Sequence, residues 1–218
     1  TVYAAIRQIG EIFDTQHVAE QLVTEIRNDF AVAEQAVGNL EAELKTVWLD
    51  CVDCCKSENG ERTGLFVGAG TGAPNLIMQE AGLKNVFAGI NGSWTCVTAG
   101  AILAAKPDVM VIVDASWDTA MSKIDFLHNH NEFCNAKFVK GADYISIPFS
   151  ASTLGPRNGA AALDMALAAI HLTTGSTTVD FRSGVKFMSP EALEKRTAGL
   201  RCPFDSKSST TQAQTDAI

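Results

Sequence analysis

Six cysteines are the residues whose type and spacing most directly suggest chemistry: Cys51, Cys54, Cys55, Cys96, Cys134 and Cys202. An even number fits disulfide bonding in an oxidising compartment, but six cysteines allow many pairings and the sequence alone does not choose between them. The C-x-x-C-C spacing of the first three also resembles half of a tetrahedral zinc site, although no second C-x-x-C or H-x-x-x-H follows. Disulfides are favoured, and free thiols and a metal site stay open as alternatives.

A glycine-rich turn is the second candidate, because it resembles a dinucleotide-binding fingerprint. Gly68, Gly70 and Ala73 form a G-x-G-x-x-A pattern between an apolar segment and a helical one. In nucleotide-binding proteins such a turn lets a pyrophosphate approach a helix N-terminus, and a carboxylate about 20 residues further on binds the ribose. The segment VFAGING, at that distance, contains no carboxylate. We therefore interpret the motif as a structural strand-to-helix turn, with a nucleotide site as the weaker alternative.

Histidines and aspartates do not form a recognisable catalytic set. His128 and His130 are two residues apart and do not share a helix face, which favours a polar helix end over a metal site. Four aspartates lie at or just past predicted strand ends, where α/β enzymes place their acids: Asp50, Asp53, Asp114 and Asp118. No Ser/His/Asp order or carboxylate pair stands out among them. We predict no enzymatic activity, no catalytic residue, no metal and no cofactor.

Aromatic residues gather at the predicted strand ends. In open α/β sheets, ligands bind outside the carboxyl ends of the strands. Three of the four loops predicted there carry an aromatic residue, namely Trp94, Trp117 and Phe149. Ser93 beside the first and Asp114 at a strand end complete the predicted ligand-binding set. Three aromatics on one rim favour a flat or apolar ligand.

The elements that position these loops alternate between helix and strand. Helical spacing predicts a short helix followed by a long one within residues 1–37, and Asp14 and Thr15 are suitable N-cap residues between them. Six segments are predicted strands: TVWLDCV, GLFVGAG, KNVFAG, DVMVIVDA, AKFVK and DYISIP. Helical segments separate most of them. This alternation predicts an α/β fold, a three-layer lobe with a mostly parallel sheet, preceded by a long helix.

Composition divides the chain into three segments and limits its partners. We predict a long-helix region at residues 1–45, an α/β lobe at residues 46–175, and a polar tail at residues 176–218 whose low complexity is typical of disorder. The net charge is −8 and no basic run is present, which argues against a nucleic-acid partner. No apolar stretch reaches the roughly 20 residues that cross a bilayer, and the chain does not open on a signal-peptide pattern.

Four stretches in this order resemble the class III periplasmic-type solute-binding proteins, which carry iron–siderophores, haem or vitamin B12 to transporters. The stretches are TVYAAIRQIGEIFDTQHVAEQLVTEIRNDF, GTGAPNLIMQEAGLKNVFAG, SWTCVTAGAILAAKPDVMVIV and ADYISIPFSASTLGPRNGAAALDMALAAIH. They resemble, respectively, the helix that links the two lobes, the turn and first helix of the C-terminal lobe, the ligand-loop tryptophan with its helix and strand, and the last strand with its ligand loop and closing helix. The resemblance covers about residues 1–175 and lies in pattern and order.

The resemblance implies an extracytoplasmic binding protein for a metal chelate or corrinoid that feeds uptake through a membrane transporter. Residues 1–45 then correspond to the linking helix. Trp94 is expected to stack on the ligand, with Trp117 and Phe149 completing the rim. The family's strand order also places Cys54 or Cys55 beside Cys96, which implies one disulfide between these segments.

Two departures from the family pattern favour an alternative function. A whole lobe precedes the linking helix in the family, whereas Thr1 already lies at that helix, so we expect a fragment or a processed product, or a chain that lacks half of the site. A glutamate that docks with the transporter in many members is matched here by Gly100. The alternative is the same fold reused without transport, as a structural or docking subunit of a larger complex.

Overall fold

The computed structural model describes residues 1–38, 40, 43–140, 143–175 and 180–188. Its elements in chain order are α1 (Val2–Ile12), α2 (Gln16–Val37), β1 (Leu44–Lys56), β2 (Arg62–Gly68), α3 (Gly72–Glu80), β3 (Leu83–Asn85), β4 (Trp94–Val97), α4 (Ala99–Ala105), β5 (Val109–Asp114), α5 (Ala120–Asn129), β6 (Tyr144–Pro148), α6 (Phe149–Ser152), α7 (Asn158–Thr174) and β7 (Lys186–Met188).

One mixed sheet organises the described residues. Its strand order is β4-β2-β1-β5-β6-β7, and β3 pairs with the first residues of β1. The pairings of β1 with β3 and β5, and of β5 with β6, are parallel. The outer pairings, β1 with β2, β2 with β4 and β6 with β7, are antiparallel. The parallel centre therefore sends β1, β5 and β6 to the same edge of the sheet.

Two separate cores lie on the two faces of the sheet, because successive strand side chains point in opposite directions. Trp48 of β1 and Val111 of β5 pack with buried residues of α2, α3 and α7. Their neighbours Leu49 and Ile112 pack on the other face with buried residues of α4 and α5. The predicted three-layer α/β lobe is confirmed.

The long N-terminal helix packs against the lobe through α7. Gly159 permits the close approach, since a Cβ atom at this position would stand 2.7 Å from the carbonyl oxygen of Ile26 in α2. The helix begins at Gln16, directly after the predicted cap Thr15. The predicted break between two N-terminal helices is confirmed.

Two strand predictions were wrong in the first half of the sheet. The strand TVWLDCV was predicted to end at Val52, but β1 continues to Lys56 and forms a hairpin with β2. Trp94 to Val97, predicted as part of a loop and helix, form the edge strand β4. In both cases the strand is defined by its pairing with β2, which local composition does not encode.

Two further predictions were wrong in the second half. AKFVK was predicted as a strand, but residues 136–140 form turns whose apolar side chains cover the edge of the core. Part of the predicted disordered tail belongs to the sheet, because β7 pairs with β6. The buried carboxylate of Asp164 holds this segment by accepting bonds from the backbone N–H of Arg182 (3.1 Å) and of Ser183 (2.6 Å). Residues 176–179 and 189–218 of the tail lie outside the described residues.

Candidate ligand-binding site

A cavity of about 420 Å³ opens at the edge where β1, β5 and β6 end. Its lining comes from the second half of β1, the end of β5 with the turn after it, α5 and the start of α6. The lining residues are Asp50, Cys51, Val52, Asp53, Cys54, Val113, Ala115, Trp117, Asp118, Lys123 and Phe149. Its location is the one at which ligands bind in open α/β sheets.

Two exposed aromatic side chains form one side of the cavity. Ala115 and Asp118 pair backbone to backbone and close a tight turn that places Trp117 near its tip. Phe149 follows Pro148, the last residue of β6, and begins α6. The two rings meet edge to face, with centroids 5.1 Å apart, and 74% of Trp117 and 41% of Phe149 are solvent-exposed. Large aromatic surfaces left uncovered in this way are typical of ligand or partner contacts.

A buried lysine supports the turn that carries Trp117. The ammonium group of Lys123 donates to the carbonyl oxygens of Val113 and Asp118, both at 2.7 Å, and lies 3.1 Å from the Asp118 carboxylate. These three acceptors match the three N–H bonds of an ammonium group. Lys123 is therefore a structural cation that ties β5 to the turn, and its donors are occupied.

Two aspartates in the wall differ in their electrostatics. Burial raises the pKa of Asp50, while the positive charge of Lys123 opposes this effect and Asp118 adds to it. Asp53 is exposed, and hydrogen bonds from Lys56 and Arg62 lower its pKa. Burial thus makes the carboxyl group of Asp50 harder to ionise than that of an exposed aspartate.

Disulfides build the wall formed by β1. Cys51 is bonded to Cys54, and Cys55 is bonded to Cys96 of β4. The prediction that Cys54 or Cys55 pairs with Cys96 is confirmed as Cys55–Cys96. Cys134 is disulfide-bonded as well, and none of the cysteines in the described ranges has a free thiol. Cys202 lies outside these ranges.

The structure brings together two of the five predicted site residues, Trp117 and Phe149, which both line the cavity. Asp114 accepts a bond from the backbone N–H of Ala120 (2.8 Å) and so caps α5. Ser93 and Trp94 lie at the glycine turn, across β2 from the cavity wall, and are not among the residues that line the cavity. Their contact with a ligand stays a prediction.

The glycine turn is filled by its own chain. The backbone N–H groups of Ala69, Gly70 and Thr71 donate to the carbonyl oxygens of Ser93, Ile90 and Gly92, in that order. A Cβ atom at Gly70 would collide with the carbonyl oxygens of Ala88 and Ile90. Because these donors already have protein acceptors, the arrangement supports a structural turn and leaves them unavailable to a phosphate.

Lys123 is the charged lining residue that sequence reasoning missed. It falls on the buried face of α5 together with Ala120, Ile124 and Leu127, at the i, i+3, i+4, i+7 spacing of an apolar stripe. A lysine at such a position is uncommon unless its charge has partners. A lysine at an apolar position of the helical pattern was therefore the signal in the sequence that could have identified Lys123 as a site residue.

Two kinds of structure are absent from the described ranges. No group of three or more histidine, cysteine or acidic side chains is arranged to hold a metal ion there. None of the helices in these ranges combines the length and apolarity that crossing a membrane requires.

Comparison with known proteins identifies the family. Residues 1–151, more than half of the chain, match the family described as periplasmic binding protein. No curated protein shows significant similarity to the chain. Many solved structures do match. The members of this family are binding proteins and not enzymes.

Three solved structures illustrate the structural similarity. The periplasmic heme-binding protein RhuT from Roseiflexus sp. RS-1 has 17% identity and a TM-score of 0.61 over 76% of this chain and 60% of that chain. A periplasmic heme-binding protein from Pseudomonas aeruginosa has 13% identity and a TM-score of 0.64, with 86% and 64% covered. An ABC-type Fe3+-hydroxamate transport system protein from Saccharomonospora viridis has 24% identity and a TM-score of 0.56, with 80% and 55% covered. The chain therefore spans less than two thirds of these structures, and identities this low establish the fold alone.

Proposed function

Because the chain belongs to the periplasmic binding protein family, we propose that it binds a metal chelate in the cavity at the strand ends. The observation that carries this proposal is the exposed pair of Trp117 and Phe149 beside the cavity. Aromatic rings that remain uncovered offer stacking surface to the organic shell of a chelate, at little conformational cost. Two of the similar structures are named as heme-binding proteins and a third as part of an Fe3+-hydroxamate transport system.

The charges of the cavity favour a neutral or cationic chelate. Lys123 is the single cation among the described lining residues, and its three donors are occupied. The carboxylates of haem therefore find no free cation in this wall, which instead contains three aspartates, Asp50, Asp53 and Asp118. A ferric trihydroxamate whose organic shell carries no carboxylate avoids this penalty. By this charge argument we place ferric hydroxamates ahead of haem as the ligand.

The setting we propose is extracytoplasmic, with delivery of the chelate to a membrane transporter. The disulfides Cys51–Cys54 and Cys55–Cys96 support this setting, since disulfides persist in oxidising compartments. Family membership supports the transporter as partner.

Fluorescence titration tests the proposal. The oxidised protein is titrated separately with a ferric trihydroxamate, haem and cobalamin, and quenching of tryptophan emission is followed. We expect saturable quenching, because Trp117 contacts the chelate, and we expect it at a lower concentration of the hydroxamate than of haem.

Trp117→Phe serves as the matched control, since it keeps an aromatic ring and removes the indole that reports contact. It is expected to retain binding in a dialysis assay that follows iron and to lose most of the quenching. Absence of binding by all three compounds overturns the proposal, and tighter binding of haem overturns the charge argument.

A further inference from the structure

We infer that Cys51–Cys54 is a thiol–disulfide exchange site, at which a dithiol reductant opens the disulfide and thereby loosens the wall of the cavity. The assignment of the exchange site stands on geometry alone. Its effect on chelate affinity rests on the proposed function.

The disulfide lies where a small dithiol can reach it. Five consecutive residues of β1, from Asp50 to Cys54, line the cavity, so both sulfur-bearing residues belong to its wall. Cys54 is exposed and Cys51 is half-buried. A reductant therefore has access to the disulfide without unfolding of the strand.

The disulfide closes a bulge in β1. Cys51 lies opposite Phe66 and Cys55 lies opposite Gly64, so four steps along β1 (51 to 55) face two steps along β2 (64 to 66). A bulge bends its strand and leaves the extra residues outside the ladder. Two ties hold the segment between Cys51 and Cys54 in the described structure: the disulfide, and the exposed ion pairs of Asp53 with Lys56 and Arg62. Once the disulfide opens, only these solvent-exposed ion pairs restrain the extra length of chain.

The neighbouring disulfide lacks this freedom. Cys55 is buried and is bonded to Cys96, on the strand beyond β2. Cys96 is paired with Phe66 of β2, and Cys55 with Gly64 of the same strand. After reduction, these ladders still hold the two cysteines close together, which favours re-formation of the disulfide. Cys51–Cys54 is therefore the disulfide that we expect to be reduced first, and Cys55–Cys96 is a structural disulfide.

The exchange follows ordinary thiol–disulfide chemistry. One thiolate of the dithiol attacks the sulfur of Cys54, forms a mixed disulfide and releases Cys51 as a thiolate, which takes up a proton. The second thiolate of the reductant then attacks its own sulfur in the mixed disulfide and releases Cys54, which is protonated in turn. The reductant leaves as a cyclic disulfide. Two electrons and two protons have passed to the protein.

Mass spectrometry after graded treatment with dithiothreitol tests the exchange site. Free thiols are blocked with iodoacetamide, and the protein is then denatured and digested with trypsin. Peptide 46–56 contains Cys51, Cys54 and Cys55, and Cys96 lies on peptide 85–123, because Pro107 prevents cleavage after Lys106. At low dithiothreitol we expect the two peptides still linked, with two alkyl groups on peptide 46–56.

Two outcomes overturn the exchange site. One is separation of the peptides with one alkyl group on each while Cys51–Cys54 stays closed. The other is absence of alkylation until the dithiothreitol concentration at which circular dichroism reports unfolding.

Chelate affinity tests the loosened wall. Oxidised protein is compared with protein reduced and alkylated at Cys51 and Cys54, and with the double variant Cys51→Ser/Cys54→Ser, using a ferric trihydroxamate as probe. We expect roughly 3- to 10-fold weaker binding in both, because ordering the wall again opposes binding. Equal affinities overturn the effect on the cavity. If the oxidised protein does not bind the probe, the assignment of a hydroxamate ligand fails, and the peptide result still decides the exchange site.

Discussion

The segments around Trp94 and Trp117 both follow the pattern of an aromatic residue in a loop at the end of a strand, but they have opposite structures. Trp94 begins the edge strand β4, opposite Gly68, and its indole N–H is buried without an acceptor in the described chain. The loop before it accepts the N–H groups of the glycine turn. Trp117 is 74% exposed and adjoins a cavity whose turn is held from below by Lys123.

An aromatic residue in the loop does not by itself distinguish an open site from a closed turn. The distinction lies in which groups form the hydrogen bonds of the loop backbone. Around Trp94 the loop fills the glycine turn with its own carbonyl oxygens. Around Trp117 the buried side chain of Lys123 donates to the carbonyl oxygens of Val113 and Asp118 from beneath the surface. No loop of the described residues covers the indole ring, which stays exposed. Four changes test this contrast.

Lys123→Met should have the largest effect, a loss of about 2–4 kcal/mol in the free energy of unfolding. The variant keeps much of the apolar stem but removes the ammonium group that donates to the Val113 and Asp118 carbonyl oxygens and pairs with the Asp118 carboxylate. Urea denaturation measures the loss. Lys84→Met is the control, since its ion pair with Glu43 is exposed and should contribute about 1 kcal/mol or less. A loss no greater than that of the control contradicts a structural role for Lys123.

Gly70→Ala should destabilise the closed turn by about 1–3 kcal/mol, because the new methyl group collides with two backbone carbonyl oxygens. Gly89→Ala, in the same loop region, is the matched control. Its added methyl group meets no atom within 4 Å, and it should be neutral or slightly stabilising. Thermal unfolding of the two variants measures the difference. Equal stabilities contradict the interpretation that the loop fills the turn.

The sequence predicted elements with strong local patterns more successfully than residues positioned by distant contacts. The long helix α2, the apolar strand β5 and the helix α7 ending at Gly175 follow from periodicity and capping signals. The hairpin of β1 and the strand β7 depend on pairing with strands elsewhere, which local composition does not encode.

The candidate site divides in the same way. Trp117 and Phe149 were predicted from their places after apolar strands. The role of Lys123 depends on carbonyl oxygens at the end of another element, and the separation of Trp94 from the cavity depends on the antiparallel order of β1, β2 and β4. Neither is visible in local sequence.

Trp117→Ala should weaken chelate binding by roughly 1–2 kcal/mol, the scale on which a stacking aromatic contributes. Its stability should change little, because a mostly exposed side chain contributes little to the core. Trp94→Ala should show the reverse balance, with a measurable loss of stability and a smaller loss of affinity. Calorimetric titration and urea denaturation of both variants give the comparison. A larger loss of affinity in Trp94→Ala contradicts the contrast and restores Trp94 as the main ligand contact.

Asp50→Asn should have the smallest effect, a change in the pH dependence of stability. Burial raises the pKa of Asp50, so the folded protein holds this proton more tightly than the unfolded chain. Stability must then fall as the pH rises from the unfolded pKa of about 4 through the folded value. The variant lacks this loss and should gain stability relative to the wild type between about pH 4 and pH 7.

Asp53→Asn is the control of opposite sign, because Lys56 and Arg62 lower the pKa of Asp53. The contribution of Asp53 is lost as the pH falls below about 4, so urea denaturation from about pH 2 to pH 7 gives both slopes. Parallel pH profiles for the two variants contradict the difference between the aspartates of the cavity wall.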